Sequence, residues 1–431
     1  MLDIELFRSN LQQIVDSEKK RFKDPNIAKK VYELDENYRK VTTELQQNSY
    51  EKNKINEQIG QLMKQGKKQE ANKLKKIATD LNKKMGELSA KEKELLEKRE
   101  EYRYKVGNIL HESVPIGETE EFNEIVRTVG TIPKFQFTPQ SHVDLVSLID
   151  GADTKKASEL VGSRFYYLKG DLVLLNLALI QYALQNMIAK GFMPLWTPFF
   201  IKYDIIKAAA ELADFEEQLY KIQDEDLYMI ATSEQSVAAF HYDEIIDPEL
   251  LPLKYVGVSS CFRREAGSHG KDTLGIFRVH QFEKVEQFVF CSPEDSWAIH
   301  DELLQNVEEL FQQLKIPYRV VNIVSGELND NAAKKYDLEA WFPGSEAFRE
   351  LVSCSNCTDY QARKLKIRAG VVGSDQKKQT VHTLNSTAVA TERTICCILE
   401  NYQNEDHSIT IPDVLQKYMN GKKEIKPKTL E

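Results

Sequence analysis

A stretch with an unusual charge pattern runs from Cys261 to Phe290, with the sequence CFRREAGSHGKDTLGIFRVHQFEKVEQFVF. Its apolar ends predict two antiparallel strands joined by the loop GSHGKD. Because side chains alternate along a strand, the second strand presents every other residue from Arg278 to Glu286 on one face, and the first presents Arg263 and Glu265 together. The intervening members of that face are His280, Phe282 and Lys284.

This charged face suits a nucleotide. Arginine offers a planar fork to phosphate oxygens, a phenylalanine ring stacks on a base, and a glutamate accepts hydrogen bonds from an amino group. The competing interpretation is a structural ion-pair network on a sheet. Two Arg–Glu clusters around a Gly-rich loop favour a binding site over that alternative.

Other segments supply further polar groups near predicted strand ends. Thr232 and Glu234 follow a strand in YMIATSEQ, where a substrate could be recognised. Glu350 and Ser353 lie beside a strand in AFRELVSCSN. A carboxylate and a hydroxyl are apt ligands for Mg²⁺, which shares its sites with phosphates and water. A third set precedes and opens a helix in TLNSTAVATERTICCILENYQ: Asn385, Thr387 and Arg393.

The elements that position these groups are of two kinds. From about Val31 to Val106 the chain lacks proline and repeats apolar residues at steps of three and four, which predicts a coiled coil. The pattern stops near Gln65–Glu70, so we expect two antiparallel helices of about 35 residues, an arm about 50 Å long. Eight lysines and two acids between Lys64 and Lys84 give a net charge of +6 there. That excess suits a phosphate backbone, although it could also be a solvated helix face.

Composition limits the class of protein. The 431 residues carry a net charge of −9, with 41% hydrophobic and 29% charged residues, as expected for a soluble globular protein of two to three domains. The sequence contains no run of 18 apolar residues, and its start has neither a secretory nor a transit composition. Six cysteines do not make a disulfide framework. We therefore expect a cytoplasmic protein without a membrane partner.

The chain closely resembles the seryl-tRNA synthetases, a family of class II aminoacyl-tRNA synthetases. FRREAGSHGKDTLGIFRVHQFEKVEQF resembles motif 2, GFMPLWTPFF resembles motif 1 with Pro198 at its proline, and TLNSTAVATERTICCILENYQ resembles motif 3 with Arg393 as its arginine. ATSEQ and AKKYDLEAWFPGSEAFRELVSCSNCTDYQARKLKIR are similar to the serine- and ATP-site segments of that family. The short C-terminal tail lacks the long extension of animal members, which suggests another eukaryotic lineage.

The resemblance implies an α+β fold with four parts. These are a tRNA-binding helical arm at 1–110 with an antiparallel coiled coil at about 28–106, a linker at 111–134, a class II catalytic domain at 135–417 built on an antiparallel β-sheet flanked by helices, and a short basic tail at 418–431. Pro198 is expected at the interface of a homodimer. Three departures from the family pattern are Ser236, Leu274 and Glu346, and Leu274 puts the contact with the tRNA acceptor end in doubt.

The resemblance also implies the reaction and its residues. Serine and MgATP would give seryl-adenylate and pyrophosphate, and serine would then pass to the terminal adenosine of serine tRNA, recognised by its long extra arm and acceptor end. Selenocysteine tRNA is a further expected substrate if the organism has it. Arg263, Arg278, Glu350 and Arg393 are the expected catalytic residues, with Glu350 and Ser353 holding Mg²⁺. The expected ATP-binding set is Arg263, Arg264, Glu265, Val279, Phe282, Glu350, Leu351, Val352, Ser353 and Arg393. The expected serine-binding set is Thr232, Glu234, Arg263, Glu286, Asn385 and Thr387.

Two other functions are compatible with the same motifs: a non-catalytic synthetase paralogue and a ligase that charges a carrier protein. Loss of a motif arginine would indicate the paralogue, and Arg263, Arg278 and Arg393 are all present. A carrier-protein ligase would be expected to lack the long basic arm. The sequence therefore favours a serine–tRNA ligase.

Overall fold

The computed structural model describes residues 1–209, 218–265, 274–371, 373 and 378–428. The chain divides into two compact units. One is Leu2–Gly107, and the other comprises Met1 and Asn108–Glu431. Each unit has its own buried residues and is described separately.

The first unit is helical. Its helices are α1 (Ile4–Ser9), α2 (Leu11–Lys20), α3 (Asn26–Lys64) and α4 (Lys68–Tyr104). Helices α3 and α4 pack along their length, with Val41 buried on α3 and Ala78 buried on α4. The chain reverses at Gly66, whose φ of +79° is a conformation that glycine adopts without strain. The predicted antiparallel pair of long helices is confirmed, with 39 and 37 residues.

Asp35 on α3 is the centre of a buried ion cluster in this unit. Its carboxylate accepts hydrogen bonds from Arg8 at 2.7 and 2.9 Å, from Arg39 at 3.0 Å and from Arg99 at 2.8 Å. The Asp35 side chain is only 1% exposed. Because Arg8 lies on α1 and Arg99 on α4, this carboxylate fastens three helices together at one level.

The second unit is built on an eight-stranded sheet in the order β1-β10-β11-β12-β15-β9-β8-β4. Neighbours are antiparallel except for the parallel pair β4 and β8. The strands of this sheet are β1 (Glu124–Val129), β4 (Met193–Trp196), β8 (Leu253–Phe262), β9 (Gln281–Cys291), β10 (Tyr318–Asn322), β11 (Lys334–Phe342), β12 (Ala347–Asn356) and β15 (His382–Ala390). The antiparallel-dominated sheet confirms the predicted α+β architecture.

Helices and short strands flank this sheet. The helices are α5 (His142–Leu148), α6 (Thr154–Leu160), α7 (Asp171–Ala189), α8 (Tyr203–Ala209), α9 (Ser233–Ala238), α10 (Ser296–Gln313), α11 (Tyr360–Lys364), α12 (Thr391–Asn401) and α13 (Asp413–Gln416). The short strands are β2 (Ala152–Asp153), β3 (Tyr167–Leu168), β5 (Phe200–Lys202), β6 (Leu227–Met229), β7 (Ile245–Ile246), β13 (Arg368–Ala369), β14 (Gln379–Thr380), β16 (Ile409–Thr410) and β17 (Glu424–Ile425).

Helix α7 is, among the described helices, the one that is long and apolar enough to cross a membrane by length and composition. Leu172, Leu175 and Leu179 on this helix are fully buried in the core that covers the sheet. A core helix of this composition passes the same test as a membrane span, so it is weak evidence for one.

Two segments predicted to lie outside the catalytic domain contribute to its fold. Strand β1 lies within the predicted linker 111–134 and pairs with β10. The predicted tail at 418–431 places Met419 and Ile425 in the core, and β17 pairs with β16. Strand β1 is exposed along most of its length and is held by its pairing with β10, and the tail is polar in composition, so neither segment has a periodic apolar pattern.

The predicted hairpin of β8 and β9 is present, with Phe262 opposite Gln281 and Tyr255 opposite Phe288. Its strands are shorter than predicted. Arg263 and Glu265 follow the end of β8, and Arg278 and His280 precede the start of β9. Strand parity therefore does not apply to these four residues, and the connecting loop 266–273 lies outside the described residues.

Candidate active site

Two adjoining cavities lie on the sheet face formed by β8, β9, β12 and β15. The first has a volume of about 590 Å³ and the second about 1320 Å³. Clefts of such size accommodate small ligands. Six residues line both: Arg263, Glu265, Arg278, Lys284, Glu350 and Ser353. The two cavities thus share a charged wall, where two ligands would come into contact.

Aromatic rings and arginines form the first cavity. The guanidinium carbon of Arg263 lies 5.2 Å from the ring centroid of Phe282, and that of Arg393 lies 5.2 Å from the centroid of Phe277. Cation–π contacts of this kind hold a guanidinium flat against a ring. The first cavity therefore combines planar apolar surfaces with cations, the pairing that a base with attached phosphates requires.

Glu350 on β12 faces Arg393 at the start of α12. Arg393 Nη1 donates to the Glu350 carbonyl oxygen at 3.2 Å and to Oε2 at 3.4 Å. Burial opposes ionisation of Glu350, but the charges of Arg393, Lys335 and Arg263 lower the pKa of its carboxyl overall. The carboxylate form is therefore maintained in the cavity.

Oxygen ligands for a cation lie side by side on β11 and β12. Ser353 is opposite Asp337 in the strand register, and Glu350 is opposite Glu339. The Asp337 carboxyl is buried, and its Oδ1 has no hydrogen-bond partner among the residues that the structure describes. Burial, and then the charge of Glu350, raise the pKa of Asp337 to about 7 despite nearby Lys335. A buried oxygen without a donor, close to a carboxylate and a hydroxyl, fits the oxygen chemistry of Mg²⁺.

The described residues contain no group of three or more His, Cys, Asp or Glu side chains arranged to hold a metal. Mg²⁺ usually takes one or two carboxylates and completes its shell with phosphates and water. The residues present thus fit a metal held jointly with a nucleotide better than a closed protein cage.

The second cavity contains Glu234, at the start of α9. Thr232 caps this helix by accepting a hydrogen bond from the Glu234 amide at 3.1 Å. The Glu234 carboxylate accepts hydrogen bonds from the side-chain amides of Gln361 at 2.8 Å and Asn385 at 3.2 Å. Burial, followed by the charge of Glu286, raises the pKa of Glu234 to about 7. This carboxyl would gain from a cationic ligand.

Glu286 and Thr387 face each other across β9 and β15. Thr387 Oγ1 donates to Glu286 Oε2 at 3.3 Å, and the Lys284 ammonium lies 2.5 Å from the same oxygen. The side chains of Lys284 and Glu286 are 8% and 2% exposed. The floor between the cavities therefore contains a fully enclosed ion pair.

The turn after β8 carries Glu265. Its φ of +48° is left-handed, and its carbonyl oxygen accepts a hydrogen bond from Arg164 at 2.9 Å. The Arg278 Nε lies 3.9 Å from Glu265 Oε2. Glu265 therefore combines a left-handed backbone conformation with a carboxylate close to Arg278, at the end of the described segment 218–265.

The structure brings together most of the residues expected at the site. Thirteen line one or both cavities: Thr232, Glu234, Arg263, Glu265, Arg278, Val279, Phe282, Glu286, Glu350, Leu351, Ser353, Asn385 and Arg393. Thr387 lines the first cavity as well. Arg264 is exposed and Val352 is buried in the core, so these two do not line either cavity. Pro198 lies between β4 and β5 and is exposed.

Several lining residues were not assigned a role from the sequence. Lys284 and Lys335 stand on buried strands among apolar residues, so the parity of FEKVE and KKYDLE could have indicated them. Phe277 lies in the same motif as Val279 and lines the first cavity. Gln361 is distant in sequence from its partner Glu234, and no local pattern predicts their contact.

Comparisons with known proteins identify the family of both units. Residues 1–110 match the seryl-tRNA synthetase N-terminal domain, and residues 218–402 match the class II tRNA synthetase core domain (G, H, P, S and T). A serine–tRNA ligase from Methanosphaera stadtmanae is 58% identical over 99% of this chain and 100% of its own. The cytoplasmic serine–tRNA ligase of Arabidopsis thaliana is 50% identical over 98% of this chain and 95% of its own.

A solved structure also matches this chain along nearly its whole length. The seryl-tRNA synthetase from Pyrococcus horikoshii complexed with ATP has a TM-score of 0.94 and 45% identity, covering 99% of this chain and 100% of its own. The expected eukaryotic lineage stays a prediction, since archaeal and plant relatives both match along the whole chain. With family models at both units and full-length relatives well above the identity of distant homologues, this chain belongs to the seryl-tRNA synthetase family of class II aminoacyl-tRNA synthetases.

Proposed function

We propose that the two adjoining cavities bind ATP and L-serine side by side, so that the protein forms seryl-adenylate and then charges serine tRNA. The observation that supports this most strongly is the shared wall. Arg263 borders both cavities and can therefore contact the α-phosphate and the serine carboxylate at once.

The first cavity takes ATP in this proposal. Phe282 stacks on one face of adenine and Arg393 covers the other, while Glu265 accepts a hydrogen bond from the adenine amino group. Arg393 and Arg278 bind the terminal phosphates. The arginine–aromatic contacts and the Glu265–Arg278 neighbourhood support these roles. Val279 and Leu351 add apolar lining. Arg264 and Val352 do not line the cavity, so their expected part in ATP binding has no support.

The second cavity takes serine. Glu234 receives the α-ammonium group, whose charge would stabilise a partly buried carboxylate that, among the described residues, accepts hydrogen bonds from the side-chain amides of Gln361 and Asn385. Glu286 and Thr387 contact the hydroxyl, with Thr232 and Asn385 completing the pocket. Their enclosure in the described structure supports a small polar subsite.

Glu350 and Ser353 would hold Mg²⁺ together with the ATP phosphates. When bound, the ion supplies charge neutralisation to the phosphate oxygens. The carboxylate state of Glu350 and the neighbouring unpartnered Asp337 oxygen support a hard-cation site here.

The chemistry then needs positioning and little else. The serine carboxylate oxygen attacks the α-phosphorus in line, a new phosphorus–oxygen bond forms, and pyrophosphate leaves with the electrons of the broken bond. Arg263 stabilises the charge that spreads over the α-phosphate oxygens, and no protein nucleophile takes part. The tRNA terminal hydroxyl next attacks the mixed anhydride and releases AMP.

Two assays test this function. Serine-dependent ATP–pyrophosphate exchange measures the first step, and charging of total tRNA measures the second. Activity in both supports a serine–tRNA ligase. Exchange without charging would favour a carrier-protein ligase, and inactivity in both would favour a non-catalytic paralogue. A selenocysteine tRNA transcript, added to the charging assay, tests that further substrate.

The helical arm binds the long extra arm of serine tRNA in this proposal. The lysine-rich end supports it, since Lys73, Lys75 and Lys76 are exposed along α4.

Replacing residues 48–84 by a short Gly-Ser turn would remove this end while keeping the Asp35 cluster and the Thr42–Glu92 hydrogen bond of 2.6 Å. Exchange should survive and charging should fall at least about 10²-fold. Equal charging would make the arm a spacer or a docking site for another protein.

We further propose a cytoplasmic homodimer. Met193, Trp196 and Phe200 around Pro198 are 57%, 74% and 49% exposed, more apolar surface than a monomer usually presents in one place. Sedimentation at low concentration tests the assembly, and a persistent species of 49.7 kDa would contradict it. The free cysteines, all six of them buried, agree with a reducing compartment.

A further inference from the structure

The buried ion pair of Lys284 and Glu286 occupies an unusual place. Both residues lie on β9 and point to the same face, and their charged atoms are 2.5 Å apart. Lys284 borders both cavities, while Glu286 borders the second. An ion pair that only stabilised the sheet would not need to stand where two substrates meet.

A lone carboxylate at this position would select the wrong side chain. A buried, unpaired anion gains far more from a cation than from a neutral hydroxyl, because hydrogen bonds to charged partners are stronger and the buried charge needs compensation. An amino acid with an ammonium group in place of the serine hydroxyl would then be preferred. 2,3-Diaminopropionate has that structure and the same size as serine.

We propose that Lys284 determines side-chain specificity by neutralising Glu286, so that the pocket accepts a hydroxyl and rejects a second ammonium group. The proposal rests on the serine subsite described above. With Lys284 in place, Glu286 keeps its hydrogen-bond acceptor geometry toward Thr387 and the substrate, but its charge is already compensated.

The neighbouring carboxylate has the opposite environment. Glu234 accepts hydrogen bonds from the neutral amides of Gln361 and Asn385, and these supply no charge. The two acids of the pocket are thereby divided between two tasks. Glu234 is left to attract the α-ammonium common to all amino acids, whereas Glu286 is made suitable for the hydroxyl.

Substrate competition in Lys284→Met tests the proposal. Exchange would be measured at pH 7.5 with serine and with 2,3-diaminopropionate, whose side-chain amine is cationic there. In the native enzyme, kcat/KM for serine should exceed that for diaminopropionate at least about tenfold. In Lys284→Met this ratio should shift toward diaminopropionate by at least about tenfold. An unchanged ratio would overturn the proposal, even if both rates fell.

Two variants separate charge from structure. Lys284→Arg keeps the cation and should keep the native ratio. Lys335→Met removes a different lysine of the second cavity, one that lies 3.6 Å from Asp337, and should leave the ratio within about threefold whatever it does to the rates. A shift of equal size in Lys335→Met would mean that only the total charge of the cavity matters.

A measurement on the native enzyme covers the case in which Lys284→Met does not fold. Diaminopropionate should inhibit serine-dependent exchange with a Ki at least about tenfold above the KM for serine. A Ki equal to or below that KM would overturn the role of Lys284. The absence of serine-dependent exchange in the native enzyme would instead contradict the proposed function, so the two failures are distinguishable.

Discussion

Two carboxylates, the buried Asp35 in the helical unit and the partly buried Glu234 in the catalytic unit, have opposite environments. Burial opposes ionisation of Asp35, but hydrogen bonds and charges from Arg8 and Arg99 lower the pKa of its carboxyl. Burial and the charge of Glu286 raise the pKa of Glu234 to about 7. The Asp35 carboxylate pairs with arginines of its own unit, whereas among the described residues no arginine or lysine forms an ion pair with Glu234.

This difference distinguishes a structural site from a binding site. A carboxylate surrounded by guanidinium groups stabilises its fold and has nothing left to bind a ligand. A carboxylate with amide partners remains electrostatically incomplete, and a substrate ammonium completes it. In this pair of acids, the one that arginines surround holds helices together, and the one with amide partners lines a cleft where a ligand can bind.

The largest expected effect concerns alanine as a substrate. Alanine lacks the hydroxyl that Glu286 and Thr387 are proposed to hydrogen-bond, so these polar groups would lose a partner. The kcat/KM for alanine in pyrophosphate exchange should therefore be roughly 10⁴-fold below that for serine. Threonine retains the hydroxyl and adds a methyl group, which costs about 1–3 kcal/mol. Exchange with alanine within tenfold of serine would mean that the pocket has no unmet hydrogen bonds.

The stability of the helical unit depends on Asp35. Asp35→Ala leaves three guanidinium groups without their shared anion, and the free energy of unfolding of this unit should fall by about 3–5 kcal/mol. Denaturant unfolding followed by helical circular dichroism measures this change. Asp80→Ala, at an exposed position on α4, is the matched control and should change stability by no more than about 0.5 kcal/mol. A neutral effect of Asp35→Ala would show that the cluster is not structural.

Phosphate handling in the catalytic unit should depend on two arginines. Arg263→Ala and Arg393→Ala each remove a donor to developing charge, and the exchange rate should fall about 10²–10³-fold. Arg363→Ala is the control and should retain exchange, since Arg363 lies on α11 and its guanidinium pairs with Asp359 just before that helix. Near-normal exchange in either of the first two variants would remove that arginine from the site.

The smallest effect is the pH dependence of serine binding. Because the pKa of Glu234 is about 7, its carboxylate is protonated as the pH falls, and the KM for serine should rise about tenfold per pH unit below 7. The same raised pKa lowers the free energy of unfolding as the pH rises from 4.5 toward 7, because the Glu234 carboxyl then ionises in the unfolded chain but stays protonated in the folded one. Asp35 affects stability in the opposite direction. The stability that its carboxylate contributes to the folded state is lost as the pH falls through its lowered pKa.

Steady-state kinetics at pH 6 and pH 8 would measure this dependence. Glu234→Gln cannot titrate, so its KM for serine should be high and independent of pH across the same range. A native KM that is equal at both pH values would mean that Glu234 does not receive the ammonium group.

Local sequence patterns determined much of this protein. The spacing of three and four residues predicted the helices α3 and α4 because a helix brings such residues to one face wherever it forms. Strand parity grouped Phe282, Lys284 and Glu286 for an equally local reason, and the motifs supplied nearly all the residues that line the cavities.

Tertiary structure decided the rest. The backbone turns at Glu265, where φ is +48°, so β8 ends before Arg263 and alternation could not be extended to the arginines. Gln361 on α11 donates a hydrogen bond to Glu234 on α9 across 127 residues of sequence, and no periodic pattern predicts a contact of that range. The pairing of charged side chains also depends on tertiary structure. Whether Asp35, Glu234 or Glu286 is paired depends on residues brought from other elements or along a strand face, and for Asp35 and Glu234 these surroundings set the direction in which the pKa moves.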